Sequence, residues 1–242
     1  MRDAGRPFVI AHRGASADAP ENTIAAFELG LEQGADGLEL DVHLSADGHP
    51  VVIHDFTLER TTDGAGPVSA LRVQQLKRLD AGGWRAGRFR GQRIQTLQEV
   101  LERFRDRARF WIELKAGSRL YPGIEERVVS MLEIYEVVDR SLVQSFDHDA
   151  LAVTRSLNQD VQVGALVEAP VGGELLTAGV ANAICPGANL MTESLLARIR
   201  AAGLECYVWT VNEPALMDRL VSWQVNGIIT DRPGVLSARL GR

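Results

Sequence analysis

Cysteine is scarce in this chain. Its 242 residues include two, Cys185 and Cys206, which lack metal-ligand spacing and sit inside apolar runs. This placement argues against a cysteine-held metal site and favours buried free thiols over a disulfide. Free thiols are typical of a protein in a reducing compartment.

Long apolar runs and long basic runs are also absent. No apolar run in the sequence is long enough to span a bilayer, and residues 1–7 contain no apolar signal core. The formal net charge of -6 and the lack of a basic run argue against a nucleic-acid surface. We therefore expect a soluble, cytoplasmic protein with no nucleic-acid partner and no stable membrane insertion.

What the chain does contain is typical of a globular protein. It is 45% hydrophobic and 24% charged, and its 242 residues are enough to bury a substantial core. No shift in composition and no low-complexity linker divides it. The sequence therefore predicts a single domain over residues 1–242.

Apolar runs alternate with helical patterns. Eight runs are predicted as strands, at residues 8–11, 38–42, 110–115, 141–146, 161–167, 181–185, 206–211 and 227–230. Helices are predicted in between: one capped by Asn22 or Thr23 and stopped by Gly34, others at 97–104, 123–137, 150–157, 173–179, 192–202 and 213–222, and a short one after Pro233. This order predicts an α/β fold, the (β/α)8 TIM barrel. A doubly wound open sheet is the alternative, but the chain has no dinucleotide fingerprint.

Residues 56–95 do not fit the alternation of strand and helix. The segment is too long for a simple loop in a compact barrel. We expect it to form a small inserted subdomain near the barrel mouth, after a hairpin made by the second strand.

The second predicted strand carries two carboxylates on one face. Glu39 and Asp41 are two residues apart, so both side chains leave the same side of the strand. Two carboxylates aimed the same way from a buried strand repel each other unless a cation neutralises them. The pair therefore predicts a site for a hard divalent metal.

A hairpin is expected to bring a histidine to this pair. Asp47-Gly48, between two apolar runs, is a strong signal for chain reversal. Folding back at that point would place Leu44 opposite Val51. It would also place His54 opposite Asp41, which sets a titratable imidazole beside the carboxylates.

Polar residues stand at the ends of several predicted strands. Active sites of (β/α)8 barrels lie at the carboxyl ends of the strands and in the loops that follow. The residues found there are His12, Arg13, Glu39, Asp41, Glu113, Lys115, Trp209, Asn212, Thr230 and Asp231. Each one alone has an ordinary explanation, such as a solvated edge or a surface ion pair. Their convergence at one end of one barrel favours an active site.

Many of these residues belong to a longer set of motifs. The motifs are His12-Arg13-Gly14, Pro20-Glu21-Asn22-Thr23, Glu39-Leu40-Asp41-Val42, His54-Asp55, Arg60-Thr61-Thr62-Asp63-Gly64, Ile112-Glu113-Leu114-Lys115, Ser145-Phe146, Trp209-Thr210-Val211-Asn212 and Gly227-Ile228-Ile229-Thr230-Asp231-Arg232-Pro233. In order and spacing the chain resembles the glycerophosphodiester phosphodiesterases, from about Phe8 to Pro233. Gln95 and Gln144 depart from the family's usual residues, but neither is a matched catalytic position.

The resemblance implies a reaction and a cofactor. It implies a (β/α)8 barrel enzyme that hydrolyses a small-molecule glycerophosphodiester to sn-glycerol 3-phosphate and an alcohol. It also implies one divalent metal ion, Mg²⁺ or Ca²⁺. The family's metal carboxylates match Glu39, Asp41 and Glu113.

The resemblance also implies roles for the remaining site residues. His12 and His54 match the family's paired histidines, which suit general acid–base catalysis, and which of them is the acid stays open. Arg13 and Lys115 match the residues that contact phosphate. Trp209 is expected to contact the substrate.

Two alternatives to this function stay open. A barrel phosphodiesterase of the phospholipase D-like or phosphoinositide-lipase type would need an apolar surface for docking to a membrane. The insertion carries Trp84 and Phe89 among several arginines, so weak lipid contact is one interpretation and a solvated rim is the other. A non-catalytic binding module would be marked by loss of a histidine or a metal carboxylate, and all five are present.

Overall fold

The computed structural model describes residues 5–177 and 179–242, and these residues form ten strands, nine α-helices and four short 3-10 helices. The strands are β1 (Phe8–His12), β2 (Gly37–Leu44), β3 (Pro50–Val52), β4 (Gln95–Thr96), β5 (Arg109–Leu114), β6 (Ser141–Ser145), β7 (Gln162–Val167), β8 (Ala183–Pro186), β9 (Glu205–Val208) and β10 (Gly227–Thr230). The helices are α1 (Ile24–Glu32), α2 (Val73–Leu76), α3 (Leu97–Phe104), α4 (Ile124–Ile134), α5 (His148–Leu157), α6 (Gly173–Thr177), α7 (Glu193–Ala201), α8 (Pro214–Ser222) and α9 (Pro233–Arg239). Ala178, which falls in the predicted helix 173–179, lies outside the described residues, as do residues 1–4.

Eight of the described strands close into a parallel barrel. Strand β2 pairs in parallel with β5, and each of β5 to β9 pairs in parallel with the strand that follows it in the chain. Strand β1 pairs in parallel with both β10 and β2, which closes the ring. Helices lie between successive barrel strands along the chain. The predicted (β/α)8 TIM barrel is confirmed.

The inside of the barrel is packed with large side chains. Buried residues that point inward from six of its strands are Ile10, Trp111, Leu142, Leu166, Tyr207 and Ile229. Side chains along a strand alternate between its two faces. The residues two positions further along the same strands therefore face the barrel axis at its carboxyl end, and they are His12, Glu113, Gln144, Glu168, Trp209 and Asp231.

The helix boundaries follow the capping signals of the sequence. Thr23 caps α1, because its side chain accepts a hydrogen bond from the N–H of Ala26, and Gly34 follows the helix with a φ of 86°. Thr96 caps α3 in a capping box with Glu99. The predicted helix at 97–104 is therefore confirmed at both ends.

The hairpin after β2 has a different register from the predicted one. Leu44 pairs with Pro50, not with Val51, and the N–H of Ile53 donates to the carbonyl of Asp41 at 3.1 Å. The predictions that Leu44 faces Val51 and that His54 lies opposite Asp41 are therefore wrong by one residue. The reason is a three-residue loop, residues 46–48, where the sequence suggested a two-residue turn.

The segment between β3 and β4 has a small apolar cluster of its own. The two strands extend the sheet from β2 in antiparallel pairing and are outside the closed ring. The buried members of the cluster are Val51, Ile53, Leu58, Val68, Leu76, Ala81 and Ile94. The segment therefore packs around its own side chains beside the barrel.

The structure also bears on the two cysteines and on membrane insertion. Cys185 and Cys206 are free and buried, as predicted. Burial raises the pKa of the Cys206 thiol to about 12 and that of the Cys185 thiol well above its usual value. In the part of the chain that is described, none of the helices has the length and apolar character needed to cross a bilayer.

Candidate active site

A cavity of about 180 Å³ opens at the carboxyl ends of the barrel strands. The predicted site residues on its wall are His12, Arg13, Glu39, His54, Glu113, Lys115 and Trp209. Asp41 is fully buried and contacts two residues of that wall, Arg13 and Lys115. The fold thus brings together residues that the sequence spreads over almost its whole length.

Three buried carboxylates form one cluster. Oxygen atoms of Glu39, Asp41 and Glu113 lie within 4.8 Å of one another. Burial, followed by the charge of Asp41, raises the pKa of Glu39 well above its usual value and that of Glu113 to about 7. Burial alone would raise the pKa of Asp41 too, but the charges of Arg13 and Lys115 hold it below its usual range. The cluster is a site of mutual repulsion that a cation would relieve.

The donor set of this cluster fits a hard divalent cation. Carboxylate oxygens are the ligands that Mg²⁺ and Ca²⁺ prefer. The Oδ1 atom of Asp41 is buried and accepts no hydrogen bond from any residue that the structure describes. Lys115 Nζ lies 3.5 Å from that atom and 2.7 Å from Glu113 Oε1. Three carboxylates thus face two side-chain cations, Lys115 and Arg13, which leaves one negative charge that a bound divalent metal would more than offset.

An unusual backbone turn presents Arg13. Its φ of 55° lies in the left-handed region, where a non-glycine residue stays only if its surroundings hold it. Gly14 follows with a φ of 84°, and a Cβ atom there would lie 2.4 Å from the backbone of Ala26. In this turn the N–H of Arg13 donates to Glu39 at 3.1 Å, and its Nε lies 3.1 Å from Asp41 Oδ2.

His12 is oriented by a carboxylate from the last barrel strand. Its Nδ1 donates to Asp231 at 2.6 Å, and the same carboxylate accepts from Ser16 and from Asn212. Burial alone would raise the pKa of Asp231, but these hydrogen bonds, chiefly the one from His12, lower it to about 2. The Nε2 atom of His12 is the free one and lies 4.0 Å from Glu39.

His54 has a similar partner in a longer ionic chain. Its Nδ1 donates to Asp55 at 2.6 Å, and Arg60 donates to both Asp55 and Glu21. Glu21 in turn accepts from Arg13 at 2.9 Å. Burial lowers the pKa of His54 below its usual value. The chain of contacts therefore joins the second histidine to the arginine of the cavity.

The backbone of His54 is also held in place. His43, which is fully buried, donates through Nε2 to the His54 carbonyl at 2.9 Å. Its other ring nitrogen lies 2.7 Å from the hydroxyl of Tyr121. Burial lowers the pKa of His43 to about 4, so the ring is neutral near pH 7. A neutral His43 is thus part of the support for His54.

An aromatic pair forms another part of the cavity wall. The rings of Trp209 and Phe146 meet edge to face, with their centroids 5.5 Å apart. The indole Nε1 of Trp209 donates to the carbonyl of Cys185 at 2.7 Å, which fixes the ring. Phe146 is 43% exposed and so borders solvent at the mouth.

Gln144 is a site residue to which the sequence assigned no role. Its Nε2 donates to Glu39 Oε1 at 3.2 Å, while its own Oε1 is buried and has no hydrogen-bond partner among the described residues. Gln144 lines the cavity. The signal that could have found it is its position, two residues after the inward-facing Leu142 at the end of a strand.

Comparison with known proteins adds independent evidence. The model of the glycerophosphoryl diester phosphodiesterase family matches residues 12–235 of this chain. A glycerophosphodiester phosphodiesterase from Caldanaerobacter subterraneus subsp. tengcongensis is 39% identical over 234 residues, which are 96% of this chain and 96% of that protein.

Solved structures show the same likeness. The crystal structure of glycerophosphodiester phosphodiesterase from Agrobacterium tumefaciens str. C58 has a TM-score of 0.86 and 34% identity, and the match covers 96% of this chain and 99% of that one. An Oleispira antarctica phosphodiesterase, solved in complex with the product sn-glycerol-3-phosphate, has a TM-score of 0.92 and 31% identity over 98% of each chain. The family match across most of the sequence, together with these relatives, shows that the chain is an enzyme of the glycerophosphoryl diester phosphodiesterase family, as its motifs predict.

Proposed function

We propose that this enzyme hydrolyses glycerophosphodiesters to sn-glycerol 3-phosphate and an alcohol, using a divalent cation and a pair of histidines. The observation that carries the proposal is a single cavity that holds two carboxylate-paired histidines beside a buried cluster of three carboxylates. The product named for the Oleispira enzyme supports the same substrate class.

Glu39, Asp41 and Glu113 would hold the cation, which we propose to be Mg²⁺ or Ca²⁺ because all three ligands are carboxylates. When bound, such an ion supplies positive charge and polarises a phosphoryl oxygen. Arg13 and Lys115 bind the phosphodiester: the guanidinium donates to its oxygens through parallel N–H groups, and the ammonium acts as a point charge. Both cations are largely buried, so their attraction for phosphate is only weakly screened by water.

His12 and His54 transfer the protons in this proposal. A carboxylate accepts a hydrogen bond from the Nδ1–H of each ring, so Nε2 of each ring is the atom that exchanges a proton with the substrate. One Nε2 takes a proton from the attacking water molecule, whose oxygen bonds to phosphorus as the bond from phosphorus to the alkoxide breaks. The other gives a proton to the departing alkoxide, which leaves as the alcohol. Both roles fit either ring.

Trp209 would complete the substrate site. Its ring is fixed by the hydrogen bond to Cys185 and lies on the cavity wall, where it would pack against the carbon atoms of the substrate.

We also propose that residues 1–242 act as one domain in which residues 56–95 form an inserted subdomain. The separate apolar cluster between β3 and β4 supports this division. A cytoplasmic location is proposed on the basis of the two free, buried thiols.

The test is release of glycerol 3-phosphate from glycerophosphodiesters with choline, ethanolamine, glycerol and inositol heads, assayed with Mg²⁺ and with Ca²⁺. Chelation of the metal should abolish turnover. His12→Ala and His54→Ala should each lower turnover at least about a hundredfold, the usual worth of acid–base catalysis. His49→Ala is the matched control, because His49 is exposed and directly follows the hairpin loop. Activity that persists in chelator would refute the metal, and near-normal activity of either variant would refute the histidine pair.

A further inference from the structure

Glu168 is a carboxylate at the cavity mouth that the proposed reaction does not use. It comes directly after β7, two residues beyond the inward-facing Leu166, so the strand's alternation turns it toward the barrel axis. Glu168 lines the cavity and also an adjoining open groove of about 510 Å³. Trp209 and Thr210 line both spaces as well. The groove is therefore a continuation of the cavity, and Glu168 stands at their junction.

Glu168 has no counter-charge of its own. Among the residues that the structure describes, none forms an ion pair or a hydrogen bond with its side chain. This differs from the carboxylates around it, since Glu39, Asp41 and Glu113 all lie close to Arg13 or Lys115. A free carboxylate beside a phosphate site opposes an anionic ligand, because like charges repel. The arrangement becomes favourable when the part of the ligand that reaches Glu168 is positively charged.

The neighbouring aromatic rings suit the same kind of charge. Trp209 lines the groove, and Phe146 packs edge to face against it at 5.5 Å. The face of an indole ring attracts an ammonium group, most strongly when the nitrogen is alkylated and poorly hydrated. The remaining wall consists of residues 187–189, which carry no charge. A carboxylate and an indole side chain on one groove are the groups that suit recognition of an alkylated ammonium ion.

We propose that the groove between Glu168 and Trp209 binds the head group of a glycerophosphodiester whose alcohol is cationic, such as choline or ethanolamine. Glu168 is then a specificity-determining residue. This inference rests on the proposed function and names the substrate class within it. The substrate would lie across the cavity in one direction, because its phosphate would bind at Arg13 and Lys115 and its ammonium group at Glu168.

The test compares kcat/KM for glycerophosphocholine with kcat/KM for glycerophosphoglycerol. Glu168→Gln should lower the ratio about two- to fivefold, the range for an exposed ion pair, chiefly through a higher KM for the choline substrate. Glu168→Lys should lower it further. Glu174→Gln is the matched control, because Glu174 is an exposed glutamate that follows the same strand but does not line the groove. Glu174→Gln should leave the ratio unchanged.

A second measurement does not depend on the folding of the variants. Tetramethylammonium should inhibit hydrolysis of glycerophosphoglycerol by the unmutated enzyme competitively, and Glu168→Gln should weaken that inhibition. An unchanged ratio in Glu168→Gln, an equal loss on both substrates, or no inhibition by tetramethylammonium would overturn the inference. If the unmutated enzyme releases glycerol 3-phosphate from none of the diesters, the proposed function itself fails, which is a distinguishable result.

Discussion

The Nδ1 atom of His12 lies 2.6 Å from the Oδ1 atom of Asp231. His12 ends the first barrel strand, β1, and Asp231 directly follows the last barrel strand, β10. The pairing of β1 with β10, in which Ala11 is the partner of Thr230, brings the two residues together. An ionised carboxylate can only accept a hydrogen bond, so the Nδ1 of His12 carries the proton. Closure of the barrel therefore decides which nitrogen of His12 is free to act.

Asp231→Asn tests this dependence. An amide can donate to Nδ1 and so favour the opposite tautomer, in which Nε2 carries the proton and cannot accept one. The amide also lacks the negative charge that stabilises the doubly protonated ring, so His12 is impaired both as a base and as an acid. We expect kcat to fall about 10²- to 10⁴-fold, the span of acid–base catalysis, with little change in metal affinity. Steady-state kinetics and calorimetric metal titration measure the two effects. Asp149→Asn is the control, since Asp149 is exposed and pairs with Arg119. A kcat within about threefold of normal would show that Asp231 does not orient His12.

The barrel and the carboxylate cluster could be predicted from the sequence for one physical reason. Parallel strands end at the same edge, and side chains alternate along each strand, so strand position fixes both the height and the face of a residue. That rule places Glu39 and Asp41 on β2 and Glu113 on the adjacent β5 at one end of the barrel, and the family resemblance adds Glu113 to the predicted metal ligands.

Other parts of the site depend on features that no strand pattern encodes. The predicted register of the hairpin is wrong because a single extra loop residue shifts every pair of residues between its two strands. Arg60 reaches Asp55 and Glu21 across a loop, and its reach depends on the fold of the insertion. Glu168 follows the alternation rule, but it belongs to none of the sequence motifs, so its strand position is the one signal for it.

Arg60 controls the charge of the carboxylate that orients His54. Hydrogen bonds from Arg60 are the largest influence on the Asp55 carboxylate and hold its pKa below the usual range. Asp55 therefore stays ionised as the pH falls. In Arg60→Gln the pKa of Asp55 should rise toward its usual value. Activity should then decline at a higher pH on the acid side than in the unmutated enzyme. A pH–rate profile measures this shift, and Arg119→Gln, which breaks an exposed ion pair, is the control. Superimposable acid limbs would rule out the role of Arg60.

Metal binding should stabilise the folded protein, because the three carboxylates come together only in the native state. At a free concentration about a hundred times Kd, the gain is about 2.7 kcal/mol. For a chain of this size that corresponds to a rise in Tm of roughly 5–10 °C. Thermal unfolding with Mg²⁺ or Ca²⁺ and with chelator measures the rise.

Glu113→Gln should abolish this rise in Tm, because it removes one of the three charged ligands. Glu126→Gln, at an exposed position on α4, should leave the rise intact. A Tm that is the same with metal and with chelator would contradict binding at this cluster.

Gln144 offers a test of how a neutral side chain tunes the proposed metal site. It donates to Glu39 Oε1 at 3.2 Å and is 1% exposed, so it restrains one proposed ligand from a fixed position. Gln144→Ser removes the donor and replaces the amide with a smaller polar side chain. Partners that orient a ligand are commonly worth about ten- to a hundredfold in metal affinity, and we expect a loss near the lower end because the donor is uncharged.

Calorimetric titration of Gln144→Ser with Mg²⁺ and Ca²⁺ should therefore show a Kd about tenfold higher. Gln162→Ser is the matched control, because Gln162 is exposed at the start of β7, the end of the strand opposite the site. Thermal unfolding without metal separates this effect from simple loss of packing, which lowers Tm but leaves Kd unchanged. A Kd within about twofold of normal would mean that Glu39 is held by its strand and by the N–H of Arg13 alone.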